Sequence, residues 1–222
     1  MAPLTPSQPK ADAPTSSGTS DGLDRLAQQI LDNLEPLSFE IAHTEVDIDT
    51  VLRMRFECVV EMGWARAEEY PDGCERDEYD DFASYVVCRD HDVIIGSLRL
   101  IFPMPGRLLP TERDFGIRVQ PPGGAFEGGR IIVPRRYRLT RSHLVLAGLF
   151  ARGWLTARQR AFSRAISTAS SQLIELYRSL GMNIRILAPA QHYWGEQRAP
   201  IEIDGAEVSS SILNLRPRPA SL

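Results

Sequence analysis

The chain has 222 residues, of which 43% are hydrophobic and 24% charged, and its 25 basic and 29 acidic residues give a formal net charge of −4. The length predicts one substantial domain with an appendage, and the composition excludes collagen-like, coiled-coil and wholly disordered proteins. The acidic balance argues against a protein that mainly neutralises nucleic-acid phosphates, so we expect no nucleic-acid partner.

The N-terminal third predicts a tail, a helix and the start of a domain. Residues 1–20 are rich in Pro, Ser, Thr and Ala and are expected to be disordered, because ordering them would bury little apolar surface. Residues 21–38 predict a helical extension that Asp21 caps and Pro36 ends. The main domain is expected over residues 39–215. It opens with a strand over residues 39–46 and a helix that Asp47 caps and Gly63 ends.

The rest of the chain predicts alternating strands and helices. Residues 65–82 are polar and acidic and are expected to form a long loop, and the apolar runs 84–88 and 93–101 predict a hairpin. The remaining predicted elements are strands over residues 117–119 and 129–133, helices over 142–154 and 156–180, a strand over 184–188, and a hairpin of 200–203 with 208–213. This order predicts a mixed α/β sandwich.

Several signals bear on compartment and on cofactors. Cys58, Cys74 and Cys88 are an odd number without metal-type spacing and are expected to be reduced thiols. The four histidines are scattered and predict no metal site, and Ser142 and His143 lack the Gly-x-Ser-x-Gly turn of a serine hydrolase. No apolar run is long enough to span a bilayer, and the N-terminal residues lack the apolar core of a signal peptide. We therefore expect a cytoplasmic protein without a transmembrane segment, a metal or a tightly bound cofactor.

Charged residues that could carry chemistry are spread over several predicted elements. They are Arg55 on the first core helix, Asp77 and Asp80 in the acidic block of residues 73–80, Arg99 within an apolar strand, and Glu127 and Arg130 before the apolar run 131–133. An unpaired buried guanidinium is costly, so we expect these three arginines and three acids to form one ion-pair network. Such a network is either structural or shapes a pocket for a zwitterionic small molecule.

The sequence resembles the acyl-homoserine lactone (autoinducer) synthases. The resemblance rests on Arg55, Trp64, Asp77, Asp80, Arg99, Glu127 and Arg130, and on the segments 55–64, 73–80, 96–100 and 106–115 around them. It covers residues 39–205 and is partly shared with the N-acyl amino acid synthases. The sequence departs from the family at Val59, where Phe is usual, and at Gly129, where a small hydroxyl residue is common.

The resemblance implies a GNAT-like three-layer α-β-α sandwich with a mixed central sheet. It also implies an acyltransferase that moves a fatty acyl group from an acyl-phosphopantetheine thioester to the amine of S-adenosylmethionine. The carboxylate of that molecule would then attack its own γ-carbon and release methylthioadenosine. Two alternatives stay open: an N-acyl amino acid synthase without lactonisation, and a non-catalytic acyl-carrier or ligand-binding module.

The resemblance further implies roles for individual residues. The catalytic group comprises Glu127, Arg130, Asp77, Asp80 and Arg99, and the substrate-binding group comprises Arg55, Trp64, Val59 and Gly129. Glu127 is expected to be the general base, with a backbone N–H of a neighbouring strand as the oxyanion donor. Arg130 and Arg55 are expected to hold the carboxylate of the small-molecule amine substrate.

The donor is expected to be an acyl carrier protein, with acyl-CoA as the alternative. Segment 133–143 contains no glycine, which argues against the glycine-rich pyrophosphate turn of ordinary acetyltransferases. Arginines at the start of a helix suit a single phosphate and an acidic protein surface. The expected carrier-binding residues are Arg135, Arg136, Arg138 and Arg141; a solvated basic helix edge is the alternative.

Overall fold

The computed structural model describes residues 17–179 and 181–207, apart from the side chains of residues 17–20 and 139–141. The predicted tail of residues 1–20 therefore lies mostly outside the described residues, and the predicted strand over residues 208–213 lies outside them altogether.

One mixed sheet of eight strands forms the centre of the fold. In chain order the strands are β1 (Leu37–Ile41), β2 (Ser84–Asp90), β3 (Val93–Ile101), β4 (Phe126–Ile132), β5 (Arg164–Ala169), β6 (Ile184–Ile186), β7 (Gln191–Tyr193) and β8 (Glu196–Asp204). Their spatial order is β1-β2-β3-β4-β5-β8-β6, and β7 pairs with β8. Neighbouring strands are antiparallel except β4 and β5, which run parallel.

Helices lie on both faces of this sheet. They are α1 (Ser17–Asp32), α2 (Glu45–Glu61), α3 (Pro110–Phe115), α4 (Arg135–Gln159) and α5 (Ser171–Ser179). Helix α4 is the crossover that joins the parallel strands β4 and β5. None of the described helices is long and apolar enough to cross a membrane.

Strand β2 shows how the core is divided between the two faces. Successive side chains of a strand point to opposite sides. Val86 and Cys88 pack in one cluster with Leu149 of α4, whereas Val87 packs in another cluster with Val51 of α2. Helices α2 and α4 therefore cover opposite faces, and the predicted three-layer sandwich with a mixed sheet is confirmed.

Helix α2 begins at a different cap from the predicted one. The Thr44 hydroxyl accepts a hydrogen bond from the Asp47 backbone N–H at 3.1 Å, which makes Thr44 the N-cap. The prediction that Asp47 caps this helix is wrong, because Asp47 lies inside the first turn and its carboxylate pairs with Arg89 at 2.7 Å. Gly63 follows the helix at a φ of +68°, a conformation that favours glycine.

The C-terminal half differs most from the predicted elements. Instead of two helices over residues 142–154 and 156–180, the long helix α4 is followed by β5 and then by α5. Strand β5 pairs with β8 along its whole length, and this tertiary pairing overrides weak local preferences. Residues 117–119 form no strand, and the closing hairpin is β7 with β8. The predicted hairpin of residues 84–101 is confirmed.

Helix α1 is docked on α4. It begins inside the predicted tail, and β1 begins inside the predicted extension of residues 21–38. The Trp154 indole N–H donates to Asp24 Oδ1 at 2.7 Å, and Arg158 forms an ion pair with the same carboxylate. Ala27 and Leu34 of this segment are buried. The division into an extension and a main domain stays a prediction.

We expect Asp24→Ala to lower the free energy of unfolding by about 1.5–3 kcal/mol, because hydrogen bonds to a charged group contribute about that much. Asp32→Ala is the matched control, since Asp32 lies on the same helix and accepts an exposed hydrogen bond from Gln28. That variant is expected to change stability by less than about 0.5 kcal/mol. Urea unfolding measures both values. Equal stability of the two variants would contradict docking through Asp24.

Candidate active site

Strands β4 and β5 separate soon after they begin to pair. Their register holds only for Phe126 with Ala165 and for Glu127 with Ile166. Beyond Glu127, this edge of β4 has no strand partner among the described residues. Its backbone groups are therefore available to a bound molecule, and a Cβ placed on Gly129 would meet nothing within 4 Å. This opening can supply the backbone N–H that stabilises an oxyanion.

The other edge of β4 carries a β-bulge. Arg99 pairs with Gly129, but Ser97 pairs with Ile132, so β4 has one extra residue in this stretch. Arg130 lies in the bulge at a φ of +49°, which is uncommon for a residue other than glycine. Backbone strain of this kind costs on the order of 1–3 kcal/mol and clusters at functional sites.

Three arginines and three acids form a buried ion-pair network, which consists of Arg55, Arg99, Arg130, Glu75, Asp77 and Asp80. Arg99 Nη1 lies 2.7 Å from Asp77 Oδ1 and 2.6 Å from Asp80 Oδ1. Arg130 Nη2 donates to Asp77 Oδ2 at 3.2 Å. The prediction of a network is confirmed, but its third acid is Glu75 and not Glu127. Glu75 was not singled out in the sequence.

Asp80 is the centre of this network. Its Oδ1 atom accepts hydrogen bonds from Arg55, Arg99 and the Tyr85 hydroxyl. Burial opposes ionisation of Asp80, but the bonds and charges of the two arginines outweigh it and hold the pKa of the carboxyl well below its usual range. Burial likewise opposes ionisation of Asp77, yet Arg99 keeps the pKa of Asp77 lowered. The lowered pKa values keep both acids ionised at neutral pH and make them weak bases.

Two of the expected substrate-binding residues, Arg55 and Val59, are buried in this structure. Arg55 is 0% exposed, and its Nε and Nη1 atoms bond Glu75 and Asp80. Val59 is also buried, and its carbonyl accepts from the Trp64 backbone N–H at 2.9 Å. Arg55 therefore supports the acids of the network, and Val59 fixes the backbone that carries Trp64.

Glu127 lies apart from the network, at the point where β4 and β5 separate. Its carboxylate accepts a hydrogen bond from the Thr111 backbone N–H of α3 at 2.9 Å. The side chain is buried, and no described arginine forms an ion pair with it. Burial raises the pKa of Glu127 to about 7. A carboxylate with this pKa can accept a proton near neutral pH.

The turn between β7 and β8 covers the network. The Trp194 ring lies 4.0 Å from the Arg130 guanidinium carbon. Trp64 packs on the same turn so closely that a Cβ on Gly195 would lie 2.1 Å from its ring. The two tryptophans thus reach the site from different elements. Trp64 was predicted from the sequence and Trp194 was not.

The predicted carrier-binding arginines lie at the start of α4. Arg135 and Arg136 are exposed and face Glu61 at 3.7 Å and Glu57 at 3.0 Å. Arg138 is less exposed, and its Nε donates to the Val133 carbonyl at 2.7 Å. The side chain of Arg141 lies outside the described part of the chain. The helix has no side-chain N-cap and no acid in its first turn, so its N-terminus favours an anion.

Comparisons with known proteins agree with this architecture. The sequence profile of the acetyltransferase (GNAT) domain family matches residues 54–148. The chain therefore has the GNAT fold, and the match to an acetyltransferase domain supports an acyltransferase. No curated protein matches the sequence.

Solved structures resemble this GNAT domain at low sequence identity. The AHL synthase LasI aligns with a TM-score of 0.64 at 14% identity, over 79% of this chain and 94% of LasI. The CoA-dependent acyl-homoserine lactone synthase BjaI, solved with SAM and isopentyl-CoA, aligns with a TM-score of 0.58 at 18% identity, over 76% and 80%. FeeM, an N-acyl amino acid synthase from uncultured soil microbes, aligns with a TM-score of 0.59 at 14% identity, over 77% and 92%. The predicted GNAT-like fold and the resemblance to both groups are confirmed at the level of structure.

Some residues of this site could be identified from the sequence, and others could not. Glu75 lies in the same acidic block as Asp77 and Asp80, so its residue type and position could have indicated it. Tyr85 and Trp194 have no local sequence pattern that indicates a role, and strand pairing brings them to the site.

Within the described residues, no group of three or more His, Cys, Asp or Glu side chains could hold a metal ion.

Proposed function

We propose that this GNAT domain is an acyl-homoserine lactone synthase that uses S-adenosylmethionine as the acyl acceptor. The observation that carries the proposal is the buried Glu127 carboxylate, with a pKa of about 7, where β4 and β5 separate. The fold likeness to LasI and to BjaI with its SAM and isopentyl-CoA supports the same reaction.

Acyl transfer begins with attack of the acceptor amine on the thioester carbonyl. The amine must lose a proton, and Glu127 takes it directly or through one water. The carbonyl oxygen becomes an oxyanion, which a free backbone N–H of the unpaired edge of β4 stabilises. Collapse of this intermediate breaks the carbon–sulfur bond, and the leaving thiolate recovers the proton. The open space beside Gly129 accommodates the thioester.

Lactonisation needs no further base. A carboxylate oxygen of the acylated product attacks the γ-carbon of the same molecule, and the bond from that carbon to the sulfonium breaks. The electron pair of that bond neutralises the sulfonium, and methylthioadenosine leaves. The protein contributes to this step by holding the carboxylate and the γ-carbon in line.

The network residues divide into those that face the acceptor and those that support them. Arg130 is the least buried arginine of the network, with a side chain 16% exposed, and we assign it to the acceptor carboxylate. Asp77 is its least buried acid and faces the cationic part of the acceptor. Arg99 and Asp80 position these two groups, and Trp64 covers the acyl-pantetheine or adenosyl side.

An N-acyl amino acid synthase is the second candidate. The likeness to FeeM, which covers 92% of that protein, favours it. The acyl chemistry would be identical, but an acceptor without a sulfonium could not close a lactone. A non-catalytic binding module is less well supported, because such a module has no use for a buried carboxylate with a raised pKa.

Purified protein incubated with S-adenosylmethionine and a panel of acyl thioesters tests the proposal. We expect methylthioadenosine to be released in step with acyl transfer. Transfer to other amino acids without methylthioadenosine would overturn the lactone synthase and leave the second candidate. The absence of transfer to any amine would overturn both enzymatic proposals.

We further propose that the donor is an acyl carrier protein that docks on the arginines at the start of α4. Carrier proteins present acidic helices, and exposed arginines contribute mainly to the rate of association. Arg135 and Arg136 are exposed and lie on the first turn of α4.

Replacing both Arg135 and Arg136 with Glu is expected to raise the KM for acyl carrier protein about 10-fold or more and to flatten its dependence on salt, since these contacts are screened. Arg25→Glu is the control, because Arg25 is an exposed arginine on α1. Helix α1 contacts α4 through Asp24 and Trp154, away from the first turn of α4. Steady-state kinetics with an acyl carrier protein at several salt concentrations provide the measurement. An unaltered KM for acyl carrier protein would contradict docking on Arg135 and Arg136, and a lower KM for acyl-CoA than for acyl carrier protein would identify coenzyme A as the donor carrier.

A further inference from the structure

The guanidinium of Arg130 is held by residues from three separate parts of the chain. Its own backbone lies in the bulge of β4. The acidic block supplies Glu75 and Asp77, whose ion pairs engage Nε and Nη2. The β7–β8 turn supplies Trp194, whose ring lies 4.0 Å from the guanidinium carbon. Asp77 accepts a hydrogen bond from one edge of the guanidinium, Glu75 lies within ion-pair distance of the same edge, and the indole covers the face.

The β7–β8 hairpin is itself anchored to other elements. The Tyr193 hydroxyl donates to Asp114 Oδ2 at 2.9 Å, and Gln191 Nε2 donates to the Asp114 carbonyl at 2.9 Å. Both contacts tie the hairpin to α3, the helix that also holds Glu127 through Thr111. On the other side of the turn, Trp64 packs on Gly195. Trp194 is therefore placed by fixed neighbours and not by a free loop.

The backbone of Trp194 indicates that this placement is enforced. Its φ is +49°, in the left-handed region that tryptophan rarely adopts. Such strain persists where surrounding contacts over-determine the conformation, and it is common at ligand-binding positions. The turn directs the indole onto Arg130, where a cation–π contact offsets part of the cost.

We propose that Trp194 is a positioning residue that fixes the plane of the Arg130 guanidinium for the carboxylate of the acceptor. This inference rests on the proposed function. A guanidinium held in one plane can form two parallel hydrogen bonds with a carboxylate, whereas a freely rotating one loses this preorganisation. We place the donor thioester at the opening between β4 and β5, beside Gly129, and the acceptor carboxylate at Arg130, so the loss of Trp194 is expected to change the acceptor KM and not the donor KM.

The test compares Trp194→Ala, Trp194→Phe and Trp154→Phe by steady-state kinetics. Trp154 is the matched control, because it also stacks on an arginine, Arg158, at 5.8 Å, but it belongs to the α1 contact. We expect Trp194→Ala to raise the acceptor KM about 10-fold, as the loss of a desolvated cation–π contact implies, with an unchanged donor KM. Trp194→Phe is expected to restore most of the affinity, and Trp154→Phe to leave both KM values unchanged.

An unchanged acceptor KM in folded Trp194→Ala, or equal increases in both KM values, would overturn the inference. The acceptor in the assay is whichever amine the wild-type protein acylates. A linear product from another amino acid would overturn the proposed function and still allow the Trp194 comparison. A wild-type protein that acylates no amine would overturn both.

Discussion

Replacing Glu127 with Gln is expected to lower kcat for acyl transfer by about 10²- to 10⁴-fold, which is the usual contribution of a general base. The amide keeps the shape of the side chain and an oxygen that can accept the Thr111 backbone N–H. It cannot take a proton from the acceptor amine. The fold is expected to remain intact, as measured by circular dichroism and thermal melting.

The effect of Glu127→Gln on stability is also expected to depend on pH. Burial raises the pKa of Glu127 to about 7 from an ordinary value of 4.5, so the folded state binds this proton more tightly than the unfolded state does. The stabilisation of the folded state by this tighter proton binding is fully present below pH 4.5 and is lost as the pH rises through 7. Glu127→Gln is therefore expected to melt higher than the wild type at pH 8. Wild-type activity is expected to fall as the pH drops below 7.

Glu202→Gln is the control for this experiment. Glu202 is also a buried acid, but it lies on β8 and pairs with Arg164 and Arg185. Its replacement is expected to lower stability and leave kcat unchanged. Turnover within a few-fold of the wild type in folded Glu127→Gln would exclude Glu127 as the base.

Arg99→Ala is expected to lower the free energy of unfolding by about 3–5 kcal/mol, because removing one partner of a buried ion pair leaves the other charge uncompensated. Arg99 is 3% exposed and bonds both Asp77 and Asp80. Urea unfolding at neutral pH measures the loss. Arg53→Ala is the matched control, since Arg53 pairs with Asp49 in an exposed position, and exposed pairs contribute about 0–1 kcal/mol.

The cost of Arg99→Ala is also expected to depend on pH. The pKa values of Asp77 and Asp80 are lowered from 3.8 in the folded protein. The stabilisation of the folded state by these two ionised acids is fully present above their unfolded pKa of 3.8 and is lost as the pH falls through the lowered pKa values. The difference between the wild type and Arg99→Ala is therefore expected to narrow below pH 4. Unchanged stability with lost activity would instead identify Arg99 as a substrate contact.

The sequence correctly predicted the three layers of the fold, but it predicted several secondary-structure elements of the C-terminal half of the chain wrongly. The hairpin of β2 and β3 is a local structure whose two apolar runs and short turn lie together in the chain, so its pattern sufficed. Strand β5 has few large apolar side chains and exists because β4 and β8 pair with it. Such non-local pairing leaves no local periodicity, and the segment was assigned to a helix.

The candidate site shows a similar division. Arg99 was identifiable because a charge in an apolar strand requires a buried partner, and the structure supplies Asp77 and Asp80. The assignment of Glu127 to the same network was wrong, since the spacing of charges along the chain does not reveal which acid each arginine meets. Trp194 reaches Arg130 only through the β7–β8 turn, so its role depends on the tertiary fold.

Mass spectrometry of lipid extracts from cells that express the wild-type chain or Glu127→Gln tests whether this protein makes a lactone with Glu127 as the base. We expect an N-acyl-homoserine lactone in the wild-type extract and its loss with Glu127→Gln. A linear acyl amino acid as the only product, or a lactone that persists at wild-type levels with Glu127→Gln, would contradict it.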